Sequence, residues 1–188
     1  MEQTTLALAV DGRRWLRLPR RSTRADSRSL ATIEAIYREH APRFRRVAQA
    51  IVHDTETAED VVQEAFAHAI VRRTSFRGSG DPAAWVWRIV VNTALSRQRR
   101  RRLEAVVLER AGFAPDAGAE PLAMDDRVRD QVARLPKRQK LALFLHYYAD
   151  MDYETIGSVL AIEAGTVGKL LFDARTNLRR ALEEASDA

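Results

Sequence analysis

The chain predicts an all-α fold of two small helical domains joined by a flexible linker, and three observations carry that prediction. Apolar residues recur at three- and four-residue spacing almost throughout, and no stretch shows the strict alternation of a half-buried strand. The helical pattern lapses once, between Leu103 and Met124, where Gly112, Pro115, Gly118 and Pro121 fall among acidic residues. At 188 residues there is room for two small domains.

The elements follow in order. Residues 1–28 carry seven arginines against Glu2, Asp11 and Asp26 and read as a basic, disordered extension. The first domain is expected over 29–102. Ser29 is placed to cap a helix with the stripe Leu30, Ile33, Ile36 and Tyr37. Pro42, suited to a first helical turn, is expected to open a second helix that buries Phe44, Val47, Ala48 and Ile51. Thr57 with Asp60 resembles a capping box, with Asp in place of the usual Glu, ahead of the apolar face Val61, Val62, Ala65, Phe66, Ala69 and Ile70. The breaker cluster Ser75 to Gly80 ends that helix, and Asp81-Pro82 restarts the chain as N-cap and first helical residue of a long helix into Arg97–Arg102. A linker over 103–124 follows, with one short helix at its start. The second domain, 125–188, holds Val128 and Val132, the break Leu135-Pro136, and a segment with Leu141, Leu143, Phe144, Leu145 and Tyr148. Helices Tyr153–Leu160 and Ala164–Leu182 complete it.

Composition removes several classes of function. There is no cysteine, so no disulfide, thiol catalysis or thiolate metal site arises. The four histidines (His40, His53, His68, His146) are scattered without metal-ligand spacing, so neither metal nor cofactor is expected. No apolar run approaches the ~18 residues of a membrane span, and Leu6 to Val10 is too short for a signal-peptide core, which predicts a cytoplasmic chain with no membrane insertion. The net charge of +5 is unevenly spread: +4 over 1–28, +5 over 29–102, −3 over 103–124 and −1 over 125–188. A nucleic-acid contact is therefore sought first in the basic half.

Three constellations carry chemistry. On the last helix Val167, Leu171, Ala174 and Leu178 share one face while Gly168, Lys169, Phe172 and Asp173 point away. With the short helix before it this is the helix-turn-helix pattern, whose second helix enters the major groove; a helical hairpin without DNA contact has the same pattern. On the helix after Pro82, Arg88, Asn92, Leu95 and Arg99 share a face near Trp85 and Trp87. Cations, stacking rings and an adjacent glycine loop are what holding unpaired bases requires, although at least one of the two tryptophans is expected in the core. Five arginines among residues 97–102 add to the attraction for a polyanion. Residues 54–64 hold five acids and no base, and Asp60, Gln63, Glu64 and Ala67 form an exposed face suited to a basic protein partner. Stabilisation of the helix N-terminus accounts for some of those acids equally well. No nucleophile or phosphate loop accompanies them, so no catalytic residue is assigned and the chain is not expected to be an enzyme.

These residues resemble a family. Ala58 to Phe66, Ser75-Phe76-Arg77-Gly78, and Ala84-Trp85-Val86-Trp87-Arg88-Ile89 with Asn92 are similar to region 2 of bacterial RNA polymerase sigma factors. Leu135 to Gln139, Tyr153 to Ile156, and Gly165-Thr166-Val167 with Ala174-Arg175 and Leu178-Arg179 are similar to region 4. The short gap between them points to the extracytoplasmic-function subfamily. The resemblance implies that Asp60, Gln63 and Glu64 meet the clamp helices of the polymerase largest subunit. It implies that the loop with Phe76, Arg77 and Gly78, together with Trp85, Arg88, Asn92 and Arg99, holds the melted −10 element. Arg138, Thr166, Lys169, Phe172 and Arg175 would meet the −35 element, and the linker would run through the polymerase. The implied partners are core polymerase (clamp helices and flap), promoter DNA and an anti-sigma factor, with the free protein a monomer. Phe172, Gly168 and Asp173 depart from the basic and polar residues usual on that recognition helix. An adaptor related to sigma factors, or a polymerase-independent helix-turn-helix regulator, is the alternative.

Overall fold

The computed structural model describes residues 24–76, 81–111 and 126–186. Seven α-helices occur among them: α1 (Arg24–Val52), α2 (Thr55–Arg72), α3 (Pro82–Arg110), α4 (Asp126–Arg134), α5 (Lys137–Ala149), α6 (Tyr153–Leu160) and α7 (Ala164–Ser186), with a 3₁₀ turn at Arg73–Ser75. The described residues contain no strand, as the apolar spacing predicts.

Helices α1, α2 and α3 pack on one another around Phe44, Val47, Val61, Val86 and Val90, all removed from solvent. Phe44 is the hub, with its ring 4.1 Å from Trp87 and 5.2 Å from Phe66; Tyr37 stands edge-on to Phe66 at 4.9 Å. The second unit wraps α4, α5 and α6 around α7, whose Val167, Leu171 and Ala174 are fully buried while Leu178 is partly buried. The expected apolar face of this helix is the one the fold uses.

Several local expectations are corrected. Pro42 does not open a helix; it lies inside the continuous α1. A mid-helix proline loses one backbone bond and crowds the preceding turn, at a cost of ~3 kcal/mol. Packing on both sides of it outweighs that cost, because Ile33 and Ile36 before it and Phe44 and Val47 after it all enter the core. The cap of α2 is Asp54, whose Oδ2 accepts from Thr57 N at 2.7 Å, and not Thr57. The stretch after Arg102 continues α3 without interruption to Arg110, where a separate short helix had been expected. Helix α1 begins at Arg24, ahead of Ser29. Asp81 does cap α3, accepting from Ala83 N and Ala84 N at 2.9 and 3.2 Å, with Pro82 in the first turn. Residues 24–28 of the expected disordered extension are thus helical, while the rest of it and most of the linker lie outside the described residues.

The two units pack against each other, α5 on α1 and α6 on α3. Arg43 pairs with Asp150 at 3.4 Å, and the Arg88 guanidinium donates to the Ser158 carbonyl at 2.5 Å. His53, at the α1–α2 corner with φ 62°, sits near the same seam. Burial pushes its pKa below the ordinary value, and the charges of Lys140, Arg102 and Arg129 push it further. A histidine in the unfolded chain titrates near ~6.5. Below that pH the unfolded state binds a proton that the native state refuses, so stability falls as pH drops from 6.5 towards the native value. Urea midpoints are therefore expected to decline between about pH 7 and pH 5, with the slope reduced in His53→Asn, since Asn also tolerates positive φ. An identical slope in the variant would remove His53 from the account.

Candidate nucleic-acid and polymerase interfaces

The two tryptophans of α3 divide as the helical period requires. Trp87 is 2% exposed against Phe44, whereas Trp85 is only partly buried, its ring 5.6 Å from that of Phe76. Asp81 fixes where α3 starts and hence where Trp85 points. One and two turns on, Arg88 and Asn92 are exposed. Arg77 and Gly78 lie outside the described residues.

The stripe Arg88, Asn92, Leu95 and Arg99 stays together but faces the second unit. Arg88, Asn92 and Leu95 line a cavity of about 350 Å³ with Lys137, Arg138 and the turn after α6. Leu95 and Arg99 line an adjoining one of about 310 Å³ with Arg102, Lys137 and Lys140. Arg138, assigned from sequence to the −35 group, thus lies beside the −10 group. Lys140 is an addition that the sequence does not single out, and Arg102 and Lys137 stand in the sequence only as members of the arginine run and of the Leu135 to Gln139 motif; the contacts span tens of residues and leave no local signature.

The arginine run is less available than its density implies. Arg97 pairs with Glu64 at 3.1 Å, Arg100 with Glu104 at 3.4 Å and Arg101 with Asp54 at 3.8 Å. Hydrogen bonding from Thr57 holds the Asp54 carboxyl below its ordinary pKa, which keeps that pair ionised. Arg99 and Arg102 are left to the cavity between the units.

On α2, Asp60, Gln63 and Glu64 are exposed along one face, opposite the buried Val61, Val62 and Ala65. Part of the Glu64 charge is already engaged by Arg97, so Asp60 is the less committed acid of the two.

Helices α6 and α7 meet at 101°, the angle of a helix-turn-helix. Asp152 caps α6, accepting from Thr155 N at 2.7 Å, and the backbone of Ala161 turns left-handed at φ 55°. Gly157 makes the corner fit: a Cβ there would stand 2.7 Å from the Ile162 carbonyl oxygen. Thr166, Lys169 and Phe172 are exposed on α7, Phe172 at 67%. Arg175 instead lies across the aromatic side of the unit, with its Nε donating to Tyr147 Oη at 3.1 Å, a bond that raises its already high pKa. Tyr147, 57% exposed, joins Phe172 as a large apolar group on the surface.

No grouping of three or more His, Asp or Glu able to hold a metal occurs among the described residues, and no single described helix is long and apolar enough to cross a membrane.

Comparison with known proteins agrees with this layout. The Sigma-70 region 2 family profile matches residues 36–104, and the Sigma-70 region 4 profile matches residues 125–178. The RNA polymerase sigma-H factor of Pseudomonas aeruginosa is 31% identical over 147 residues, covering 70% of this chain and 76% of that protein. The ECF RNA polymerase sigma factor SigW of Bacillus subtilis is 24% identical over 176 residues, covering 86% and 92%. Among solved structures, CnrH in complex with the cytosolic domain of CnrY superposes with a TM-score of 0.63 at 19% identity, covering 85% of this chain and 93% of that one. RpoE from Bartonella quintana, solved with the anti-sigma factor NepR, gives 0.57 at 22%, covering 84% and 95%. A region 2 bundle and a region 4 helix-turn-helix in one chain, in the order and spacing of these relatives, place the protein in the extracytoplasmic-function family of bacterial RNA polymerase sigma factors.

Proposed function

We propose that this chain, a sigma factor directing RNA polymerase to promoters, acts purely by binding. The α2 face docks on core enzyme, α3 holds the melted −10 strand, and α7 reads the −35 element. The observation that carries this reading is the division of the tryptophans. Trp87 is spent in the core, while Trp85 stays partly accessible beside Phe76, one turn from the exposed Arg88 and two from the exposed Asn92. An aromatic platform flanked by a guanidinium and an amide is what capture of unpaired bases demands. Arg77, Gly78 and Arg99 extend that site, and Thr166, Lys169, Phe172 and Arg175 with Arg138 form the −35 contact. The units proposed for these roles are 29–102 and 125–188, with 103–124 threading the polymerase.

Asp60, Gln63 and Glu64 form the docking face for the clamp helices, with the flap meeting the second unit. Asp60→Arg is expected to weaken binding to core polymerase by about tenfold or more, since reversing a charge at a complementary interface adds repulsion as well as losing attraction. Fluorescence anisotropy with labelled protein measures it, and an unchanged affinity would take α2 out of the interface. The protein works in the cytoplasm as a free monomer until it meets core enzyme or an anti-sigma factor. Support for the latter comes from the two similar structures, each solved with a partner protein.

The deciding experiment is run-off transcription of fragmented host DNA by core polymerase with and without the protein. New transcripts sharing upstream elements establish the reading. A stable complex with core enzyme but no transcript favours an adaptor, for which the exposed Phe172 and Tyr147 are the supporting observation. No complex at all ends the proposal.

A further inference from the structure

We infer that the cavity between the two units binds a small polyphosphorylated anion, with a nucleoside triphosphate the best fit. Arg99 and Arg102 of α3 face Lys137 and Lys140 of α5 across about 310 Å³, and among the described residues no acidic side chain lines the space. Four cations lining one cavity repel one another. Lys140 shows the effect: burial lowers its pKa first, and the Arg102 charge lowers it further. His53, just outside, is depressed in part by the same Lys140 and Arg102. One carboxylate leaves most of this charge unmatched, and one sulfate leaves half of it. A chain of two or three phosphates offers each guanidinium a bidentate partner and each ammonium a point contact. Apart from Gln98 the rest of the wall, with Leu95, Leu135, Leu141 and Phe144, is apolar and suits a base or ribose better than water. The volume is at the lower end of the ~300–1,000 Å³ typical of small-molecule sites.

The site exists only while the units are packed, because its cations come from α3 on one side and α5 on the other. A ligand there binds the packed arrangement alone and stabilises it by mass action. Binding does not depend on the assignment of the −10 site; competition with promoter DNA does, through the shared Arg99.

Titration of the full-length protein with ATP, inorganic pyrophosphate and sulfate at one ionic strength tests this, with Arg102→Ala and Lys140→Gln as variants. The expected result is that ATP or pyrophosphate binds at least about tenfold more tightly than sulfate, and that each variant loses about tenfold or more. ATP well ahead of pyrophosphate identifies a nucleotide, and equal binding identifies an inorganic polyphosphate. The His53 ring resonance is an independent readout that does not require the variants to fold: its titration midpoint should rise when the anion is bound. The inference is overturned if binding merely matches that of sulfate, if both folded variants bind as the parent does, or if only a single-stranded oligonucleotide binds in a manner dependent on Arg102 and Lys140.

Discussion

Trp85→Ala is expected to shorten the lifetime of open promoter complexes by about 5- to 150-fold while leaving the affinity for core polymerase within about twofold. The magnitude follows from the ~1–3 kcal/mol that one base gains on an aromatic side chain. The selectivity follows from place: Trp85 lies at the start of α3, whereas Asp60, Gln63 and Glu64 lie on α2. Trp85 is partly buried, so truncation also removes some packing. Trp85→Phe separates the two effects, because a ring of smaller area retains stacking and most of the packing. Asn92→Ala, one exposed face further along, should act in the same direction with intact core binding. Permanganate reactivity of the −10 region and competitor-challenged lifetimes give the readout. A normal lifetime with Trp85→Ala would show that the strand is not held there.

Phe44→Ala is expected to have the largest effect on stability. Phe44 is fully buried and touches the rings of both Phe66 and Trp87, so its loss opens a cavity at the meeting point of α1, α2 and α3. Such truncations cost ~3–5 kcal/mol, a large share of the ~5–15 kcal/mol that holds a typical protein folded. Two packed units need not unfold as one. The transition should therefore be followed by tryptophan fluorescence, since Trp87 packs against Phe44 with the rings tilted at 45° and reports on its own bundle. A cost below about 1 kcal/mol would mean that the bundle closes around the deletion and that the aromatic cluster is not its centre.

These two residues also show how far a sequence reading reaches. The period of α3 places Trp85 and Trp87 200° apart around the helix at 100° per residue, so one of them had to be buried if the other was not. Which one depended on the position of Phe44, 43 residues before Trp87. The three-residue capping pattern around α2 suggested Thr57, but Asp54 takes the cap because an ionised carboxylate is the stronger acceptor and stands three residues from the amide it binds. Pro42 was misplaced for a related reason. Its local preference is for a helix start, and only the burial of apolar residues on both sides makes a continuous helix the lower state.

By itself the sequence determined the helical class, the two units, the buried face of α7, the cap at Asp81, the acidic face of α2 and the family, because each rests on spacing within a few turns or on motifs read in order. The tertiary structure alone decided how the charges are used. It paired Arg97 and Arg101 with Glu64 and Asp54, turned Arg175 onto Tyr147, and set Arg99 and Arg102 across from Lys137 and Lys140. Charge acts through space over a few ångströms, with strength set by burial and by whatever the fold brings opposite it. A count along the chain gives the sign of the field, and packing decides which groups remain free to bind.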